Sequence, residues 1–532
     1  MAFRTKRQTV DLGGREVSFR YAGKGPPAVL LHESPRSSVA LLPLMERLAG
    51  RFTVFGFDTP GFGGSDPLAM DRPSSADYAD ALADAMTALG IARAPVYGTH
   101  TGACIAMDLA LGHSDRVSVA VMDGYPVFTP AEQEELLRAY LPPFRPSWDG
   151  AHVAWLWARV RDQFTFFPWY AAGNIGRLPR DPPPLDFHQL VVDDFLRAGD
   201  HYRPAYAAAF RFDGIGPLAG VQVPVAIVAR EDDLLFPHLD RLPDTLPDRI
   251  AVHRLSADRD AWGAAVGDIM AAHPGQAAAP QPSLDPSGAR PVRRRFIDTP
   301  AGAAHVRFAG PRDGRPAVLL HRTPGWSAEL DDRLVRLGRR GPAIAIDLPG
   351  NGESDPAPVP GLPAIIDWLG GCLDALGIRE CDLAGEGTGA AFAAAVAADG
   401  PVAVQRLTLA QAPAGADGGP DTSGAPACPD LRPRWDGAHL AAAWYWARDS
   451  LLYRHWNDRT VAGAWRLPDD PPVDLLHARF TGALLGAQGN ETLCQAAHDA
   501  ELDGLLHRAA QCGAAVERFD MPLALCPLHG RA

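Results

Sequence analysis

Val96-Tyr97-Gly98-Thr99-His100-Thr101-Gly102-Ala103 is the stretch of the sequence that decides the fold. The apolar residues before Gly98 predict a strand that ends there, and the small residues after Gly102 predict a helix. Glycines on both sides of His100 indicate a tight turn, because such a turn leaves no room for larger side chains. The stretch therefore predicts a strand that turns abruptly into a helix, with His100 between them.

Two other segments follow predicted strands in the same way. Ala28–Leu31 is a short apolar strand that runs directly into His32-Glu33-Ser34-Pro35. A second strand, at 52–57, ends in Asp58-Thr59-Pro60-Gly61-Phe62-Gly63-Gly64-Ser65-Asp66. Strands that alternate with helical segments at this spacing indicate a mostly parallel sheet covered by helices on both faces. The predicted fold class is therefore α/β.

These three segments together resemble the α/β-hydrolase superfamily, in particular its capped members such as epoxide hydrolases, haloalkane dehalogenases and esterases. The resemblance implies that 96–103 is the nucleophile elbow, a strained turn that lifts one side chain above the sheet. It also implies that the aromatic-rich segment at about 140–211 is a helical cap over the pocket. The family places Ser, Asp or Cys at the tip of the elbow, whereas this chain has His100.

The motifs recur later in the chain at a nearly constant offset. His321-Arg322-Thr323-Pro324 repeats the His32 segment, and Asp347 to Asp355 repeats the Asp58 segment, both at an offset of 289 residues. Such an offset indicates a tandem duplication. We predict a first domain at 1–273, a Pro/Ala/Gly-rich linker at 274–291, and a degenerate second domain at 292–532. The second copy lacks the last strand and helix of the first, and Gly387 stands at its elbow tip.

The resemblance also implies positions for the remaining catalytic groups. Asp233 best matches the acid of the family, with Asp232 and Asp123 as alternatives. The family's histidine is absent from the turn after the last strand, where Arg259 stands instead. A serine-type acyl-enzyme mechanism is therefore not expected in the first copy.

Three functions remain open for His100. As a general base oriented by Asp233, it would activate water for hydrolysis of a small, mostly apolar ester, lactone or epoxide. The Thr101 backbone N–H and the His32-Glu33 loop would then offer an oxyanion site. Alternatively, the chain is a catalytically inactive ligand-binding protein, or the same base serves a lyase or decarboxylase.

A motif in the predicted cap also occurs twice. Trp148-Asp149-Gly150-Ala151-His152 recurs as Trp435-Asp436-Gly437-Ala438-His439. Asp at a helix start caps the first turn, which explains Asp149 without any chemistry. A histidine one turn into that helix could point into the pocket. We therefore predict His152 as a second acid or base beside His100, and Trp148 as a pocket residue.

Composition narrows the possible partners. The net charge of −13 argues against nucleic-acid binding, because no basic surface is available to meet phosphates. No signal peptide or bilayer-spanning segment is recognisable, and the seven cysteines include no Cys-x-x-Cys pair. We expect a cytoplasmic protein with no cofactor, metal or membrane partner. Its partner is a small-molecule substrate or ligand, and its two domains are expected to form an intramolecular pseudo-dimer.

Overall fold

The computed structural model describes residues 3–174, 176–280, 290–411, 429–466, 470–519 and 523. The chain divides into two compact units. Unit 1 comprises Met1–Arg145 and Arg159–Ala289, and unit 2 comprises Pro146–Ala158 and Arg290–Ala532. Pro146–Ala158 lies within the stretch that the sequence assigned to the cap of the first domain. Half of the predicted linker, at 281–289, and the end of the second copy from 520 onward apart from Leu523 lie outside the described residues.

The helices and strands of the first half alternate as predicted. In chain order they are β1 (Lys6–Asp11), β2 (Glu16–Gly23), β3 (Pro27–Leu31), α1 (Leu42–Leu48), β4 (Thr53–Phe57), α2 (Ser75–Ala88), β5 (Ala94–Thr99), α3 (Thr101–Gly112), β6 (Val117–Asp123), α4 (Pro130–Ala139), α5 (Ala151–Gln163), α6 (Leu185–Ala198), α7 (Tyr202–Arg211), α8 (Gly216–Gly220), β7 (Val225–Arg230), β8 (Ile250–Leu255) and α9 (Arg259–Ala272).

An eight-stranded sheet in the order β1-β2-β4-β3-β5-β6-β7-β8 forms the centre of unit 1. The β1–β2 and β2–β4 pairs are antiparallel and all other pairs are parallel. β3 and β6 are buried along their whole length, as strands covered on both faces should be. Thr99 pairs with Asp123, so the ends of β5 and β6 lie side by side at the carboxyl edge of the sheet.

The second half repeats this arrangement. Its elements are β9 (Arg293–Thr299), β10 (Gly302–Ala309), β11 (Ala317–Leu320), α10 (Asp331–Gly338), β12 (Ala343–Ile346), α11 (Leu362–Ala375), β13 (Glu380–Glu386), α12 (Thr388–Asp399), β14 (Ala403–Ala410), α13 (Ala438–Leu452), α14 (Val473–Leu485), α15 (Ala487–His498), α16 (Leu502–Gln511) and β15 (Ala515–Phe519).

The seven-stranded sheet of unit 2 has the order β9-β10-β12-β11-β13-β14-β15, which is the order of the first sheet without its last strand. β15 occupies the place of β7, and no strand of the described residues corresponds to β8. The α/β class and the two mostly parallel sheets are thus confirmed. Within the described residues, no helix is long and apolar enough to cross a bilayer, and no group of three or more potential ligands could hold a metal ion.

Candidate active site

The first elbow has the predicted backbone. β5 ends at Thr99, α3 begins at Thr101, and His100 between them has φ 50° and ψ −108°. Positive φ is rare for a residue with a side chain and marks a strained turn. A Cβ on Gly98 would lie 2.1 Å from the carbonyl oxygen of Gly102, and one on Gly102 would lie 2.7 Å from that of Leu31. The flanking glycines are therefore required sterically.

The imidazole of His100 is held by Asp233. His100 Nε2 lies 3.0 Å from one carboxylate oxygen of Asp233 and 3.1 Å from the other. The His100 side chain keeps 31% of its surface exposed, whereas that of Asp233 keeps 11%. Gly124, directly after β6, makes room for the ring, since a Cβ there would lie 2.3 Å from His100 Cδ2. Of the three candidate acids, Asp233 is the one in contact with His100.

This contact changes the charge of the imidazole. Burial lowers the pKa of His100, but the charge and hydrogen bond of Asp233 outweigh that effect and raise the pKa to about 9. Glu33 and Asp123 add to the increase through their charges. Burial raises the pKa of Asp233, yet the His100 charge and hydrogen bond bring it below the ordinary value of an aspartate. At neutral pH the two groups form an imidazolium–carboxylate pair.

The other two candidate acids have different partners. Asp123 is buried and accepts hydrogen bonds from the Tyr97 hydroxyl at 2.8 Å and the Trp262 indole at 2.7 Å. Arg259, which we considered as a partner of Asp233 or Asp232, donates to Asp232 at 3.0 Å. Asp233 is consequently available to His100.

Arg230, at the end of β7, was missed by the sequence analysis. Its Nε donates to Asp232 at 3.0 Å, and its guanidinium lies 3.7 Å from Asp123 and stacks on the Trp262 ring. Its position directly before Glu231 and the two aspartates was the available signal, because an arginine among carboxylates at a strand end forms ion pairs with them.

The residues of the predicted oxyanion loop have mixed roles. His32 is buried and holds the loop together, since its Nδ1 contacts the Glu33 carbonyl at 2.8 Å and its Nε2 accepts from Thr59 N at 3.0 Å. The Glu33 side chain lies 3.7 Å from Arg36 and acts on His100 through its charge. Thr101 is buried as the first residue of α3. The His32 ring is therefore occupied by backbone contacts, whereas Glu33 contributes to the electrostatics of the site.

His238 is a second residue that the sequence analysis missed. It is buried, and its Nδ1 accepts from Val127 N at 2.9 Å, so it holds the segment that follows β6. Burial, together with the positive charges of Arg241 and His100, lowers the pKa of His238 to about 4. A neutral His238 thus accompanies the charged His100. Its place after Phe236-Pro237 carries no pattern that would have identified it.

The second elbow has the same backbone without a side chain at its tip. Gly387 has φ 56° and ψ −120°, and its N–H donates to Ala410 O as that of His100 donates to Asp123 O. Gln411 follows β14 as Gly124 follows β6, and it has φ 44°. The glycine and the larger residue have thus exchanged positions between the copies. In the first copy His100 is at the elbow tip and Gly124 follows the next strand, whereas in the second copy Gly387 is at the tip and Gln411 follows the next strand.

A buried ion network lies beside the second elbow. Arg479 is 1% exposed and donates to Glu329 at 2.8 Å and to Glu386 at 3.1 Å. Arg322, the counterpart of Glu33, lies 3.6 Å from Glu386 and stacks on the Trp446 ring. Burial and the neighbouring Arg479 lower the pKa of Arg322 to about 10. Two arginines and two glutamates balance one another, which is what the burial of charges requires.

The repeated cap motif forms a reciprocal contact inside unit 2. The Trp444 ring packs edge-on against His152 at 4.5 Å, and the Trp157 ring packs likewise against His439 at 5.0 Å. The Trp444 indole donates to Trp148 O at 3.3 Å, and the Trp157 indole donates to the corresponding carbonyl of the second motif at 3.0 Å. The first motif therefore binds Trp444, which follows the second motif, and the second motif binds Trp157, which follows the first.

The histidines of the motif serve this packing. His152 Nδ1 accepts from Ser147 N, and His439 Nδ1 accepts from Arg434 N, both at 3.1 Å. Burial lowers the pKa of each imidazole to about 4, so both are neutral. His152 and Trp148 belong to unit 2, whereas His100 and Asp233 belong to unit 1. These contacts give His152 and Trp148 a packing role that the sequence analysis did not predict.

Gly437 is expected to be essential for the reciprocal contact. It has φ +74°, and a Cβ would lie 2.5 Å from Trp157 Cδ1, so Gly437→Ala should lower the free energy of unfolding by about 1–3 kcal/mol beyond the backbone cost. Gly377→Ala is the matched control, because Gly377 has φ +73° with nothing within 4 Å of a Cβ. Urea denaturation of both variants measures the difference. Equal losses would contradict the proposed importance of the ring contact.

Comparison with known proteins finds similar proteins for the first half of the chain. Residues 26–250 match the model of the "alpha/beta hydrolase fold" family. The 2-(acetamidomethylene)succinate hydrolase of Mesorhizobium japonicum is 34% identical over 131 residues, which are 24% of this chain and 45% of that protein. The 2-hydroxy-6-oxo-6-phenylhexa-2,4-dienoate hydrolase of Comamonas testosteroni is 28% identical over 119 residues, which are 21% of this chain and 41% of that protein.

Among solved structures, epoxide hydrolase A from Mycobacterium thermoresistibile is 18% identical, with 51% of this chain and 100% of that chain covered and a TM-score of 0.40. The matched part of the chain spans less than half the length of the succinate hydrolase and of the phenylhexadienoate hydrolase. Together with the strand order and the elbow geometry, the match shows that residues 26–250 have the α/β-hydrolase fold.

Proposed function

We propose that the first domain hydrolyses a small, mostly apolar ester, lactone or epoxide, with His100 as general base. The observation that carries the proposal is the contact between His100 and Asp233 at the elbow. A carboxylate on one imidazole nitrogen fixes the tautomer and orients the ring, as in other acid–base pairs of hydrolases. The similar proteins named as hydrolases support this class of reaction.

In this mechanism Nε2–H donates to Asp233 and Nδ1 is the reacting nitrogen. Among the described residues, Nε2 is the ring nitrogen with a hydrogen-bond partner. Neutral Nδ1 takes a proton from a water molecule while the water oxygen attacks the substrate carbon. The imidazolium then returns the proton to the leaving oxygen. The Thr101 N–H, at the start of α3, is our candidate donor to the developing oxyanion.

The raised pKa of His100 predicts an alkaline pH profile. With a pKa of about 9, only about 1% of His100 is neutral at pH 7, and the base form increases tenfold per pH unit below the pKa. We therefore expect kcat/KM to rise steeply from pH 6 to 8 and to level off above about 9. Asp233→Asn removes the carboxylate and should move the midpoint to lower pH. A bell centred near neutrality would contradict the assignment.

Ligand binding without catalysis is the second candidate function, and the positive charge of His100 at neutral pH favours it. An imidazolium at neutral pH is a hydrogen-bond donor and a cation, which suits an anionic ligand better than it suits base catalysis. In that case activity would be absent throughout the pH range while ligand binding weakens above about pH 9. A lyase or decarboxylase would use the same neutral base, so the identity of the products separates it from a hydrolase.

The test is a panel of aryl esters, lactones and epoxides assayed from pH 6 to 10 with the full chain. Hydrolysis that increases toward alkaline pH and requires His100 supports the proposal. Activity that is independent of His100 overturns it. A complete absence of turnover, with ligand binding retained, favours the binding protein.

We further propose that the two domains form an intramolecular pseudo-dimer. The reciprocal contacts of the two cap motifs, all of them inside unit 2, support this proposal. In this proposal the second domain contributes surface and not catalysis, since Gly387 offers no side chain at its elbow.

A further inference from the structure

Arg159 has surroundings unlike those of the arginines at the two elbows. It lies on α5 in unit 1 and is 0% exposed. Its Nη1 donates to Gln163, one turn further along the same helix, at 2.8 Å. Its Nε and Nη2 are buried without a hydrogen-bond partner among the described residues. Buried polar groups are nearly always hydrogen-bonded, so two unpartnered nitrogens on one buried cation call for an explanation.

No acidic side chain of the described residues forms an ion pair with Arg159. Asp162 responds to its charge without contacting it, since its raised pKa comes first from burial and is opposed by Arg161 and Arg159. The Tyr206 hydroxyl is hydrogen-bonded to Arg159, but burial raises the pKa of Tyr206 well above its ordinary value, so it is neutral and supplies no countercharge. Buried charges in proteins are paired as a rule. The cation of Arg159 therefore lacks a countercharge from the described part of the chain.

The two unpartnered nitrogens form one edge of the guanidinium. Nε and Nη2 point the same way, and together they match the two oxygens of a carboxylate. The same edge binds carboxylates elsewhere in this protein. Arg508 donates through Nε and Nη2 to Asp399 at 3.0 and 2.8 Å, and Arg432 donates through the same atoms to Asp430 at 2.8 and 2.6 Å.

Aromatic rings hold the guanidinium of Arg159 in place. Its central carbon lies 4.8 Å from the centroid of the Tyr140 ring and 5.0 Å from that of Trp169. The Trp169 indole in turn donates to Tyr140 O at 3.1 Å, which fixes one ring relative to the other. Stacking on aromatic faces leaves the N–H groups in the plane of the guanidinium free for an anion.

We propose that Arg159 is the anchor of a binding site for an organic carboxylate, which its Nε and Nη2 hold in a bidentate manner beside Tyr140 and Trp169. The apolar surroundings favour a carboxylate attached to an aromatic or aliphatic body over a small inorganic anion. This proposal does not depend on hydrolysis at His100, because its evidence comes from Arg159 and the residues around it.

The test compares phenylacetate with phenylacetamide, its neutral counterpart, by isothermal titration calorimetry and thermal shift on the full chain. We expect phenylacetate to bind at least tenfold more tightly than phenylacetamide and to raise the melting temperature. Arg159→Met should abolish this preference while the free protein stays folded, because methionine replaces an unpaired buried charge by an apolar chain of similar length. Arg138→Met is the control, since Arg138 is exposed and paired with Glu135.

Each outcome decides the proposal. A carboxylate preference that Arg159→Met removes and Arg138→Met retains supports it, and a weaker preference in Arg159→Lys would show that the bidentate edge matters. Equal binding of phenylacetate and phenylacetamide, or a preference that survives in Arg159→Met, overturns it. Sodium sulfate that stabilises the protein as well as phenylacetate does would also overturn it, because the site would then be selective for charge alone. If no carboxylate stabilises the chain, the unpartnered edge binds water and the proposal is wrong.

Discussion

Hydrolysis is expected to fall by about 10²- to 10⁴-fold in kcat/KM when His100 is replaced by Ala, which is the usual contribution of a positioned general base. The reason is that the proposed mechanism has no covalent step and no second base that could take the proton from water. Asp233→Asn should cause a smaller loss, because the imidazole remains while its orientation and pKa change. The measurement is kcat/KM at pH 9 for the best substrate of the panel.

A second histidine–aspartate pair provides the matched control. His113 Nε2 lies 2.7 Å from Asp80, and the His113 side chain is 30% exposed, much like that of His100. His113→Ala removes an imidazole from a similar pair away from the elbow, so activity should stay within twofold of wild type. A loss in His113→Ala as large as in His100→Ala, or an active His100→Ala variant, would contradict the mechanism.

Replacement of Glu329 by Gln is expected to lower the stability of unit 2 by about 3–5 kcal/mol. The variant keeps the shape of the side chain but leaves Arg479, which is 1% exposed, with one carboxylate instead of two. A buried charge that loses its partner costs far more than an exposed pair contributes. Hydrogen-exchange mass spectrometry of peptides from α14 measures the effect, which corresponds to roughly 10²- to 10⁴-fold more frequent opening.

The control for this prediction is Arg508→Gln, which breaks the exposed pair with Asp399 and should cost less than about 1 kcal/mol. A second comparison is the double variant Glu329→Met/Arg479→Met, which removes both charges and should recover much of the loss. If the α14 peptides of Glu329→Gln exchange hydrogen as slowly as those of the wild type, the network does not stabilise the second domain.

The fold could be predicted from the sequence because its signals are local and repeated. The glycines at 98 and 102 are required by contacts with the neighbouring backbone, and the same contacts recur at Gly385 and Gly389. The elbow, the mostly parallel sheet and the duplication were therefore predicted from short motifs whose physical causes lie within a few residues. The domain boundaries at 273 and 292 stay predictions, and the structure groups 146–158 with unit 2.

The site could be predicted only in part, because its contacts join residues far apart in the chain. That His100 contacts Asp233 depends on Arg230 and Arg259, which pair with Asp232, and no spacing in the sequence reveals this. The resemblance implied Asp233 as the acid, with Asp232 and Asp123 as alternatives, and the sequence did not decide among the three. The roles of Gly124 and His238 were missed for the same reason.

The cap motif shows the opposite difficulty. Its recurrence suggested a site, and His152 was predicted beside His100 on the strength of its residue type. The imidazole packs against Trp444 of the second motif, because a neutral ring and an indole edge pack well in a buried setting, and its role beside His100 stays a prediction. Recurrence within one chain reflects mutual packing as readily as chemistry, and the two cannot be separated until the contacts are known.

The pH dependence of stability follows from the same pair. The folded-state pKa of His100 is raised from 6.5 to about 9, so its contribution to stability is complete below about pH 6.5 and is lost as pH rises through about 9. The contact between His100 and Asp233 should therefore weaken slightly at the pH where the proposed base becomes active. The charged form of His100 stabilises the fold, whereas the proposed mechanism requires the neutral form.

The most direct test of the account is an NMR titration of the His100 imidazole in the full chain, with its signal assigned through His100→Gln. An imidazole that is paired with Asp233 at the elbow should titrate with a pKa of about 9, and Asp233→Asn should bring that value down. A titration near 6.5 in the wild-type protein, unchanged by Asp233→Asn, would show that the two side chains do not form the pair on which the proposed function depends.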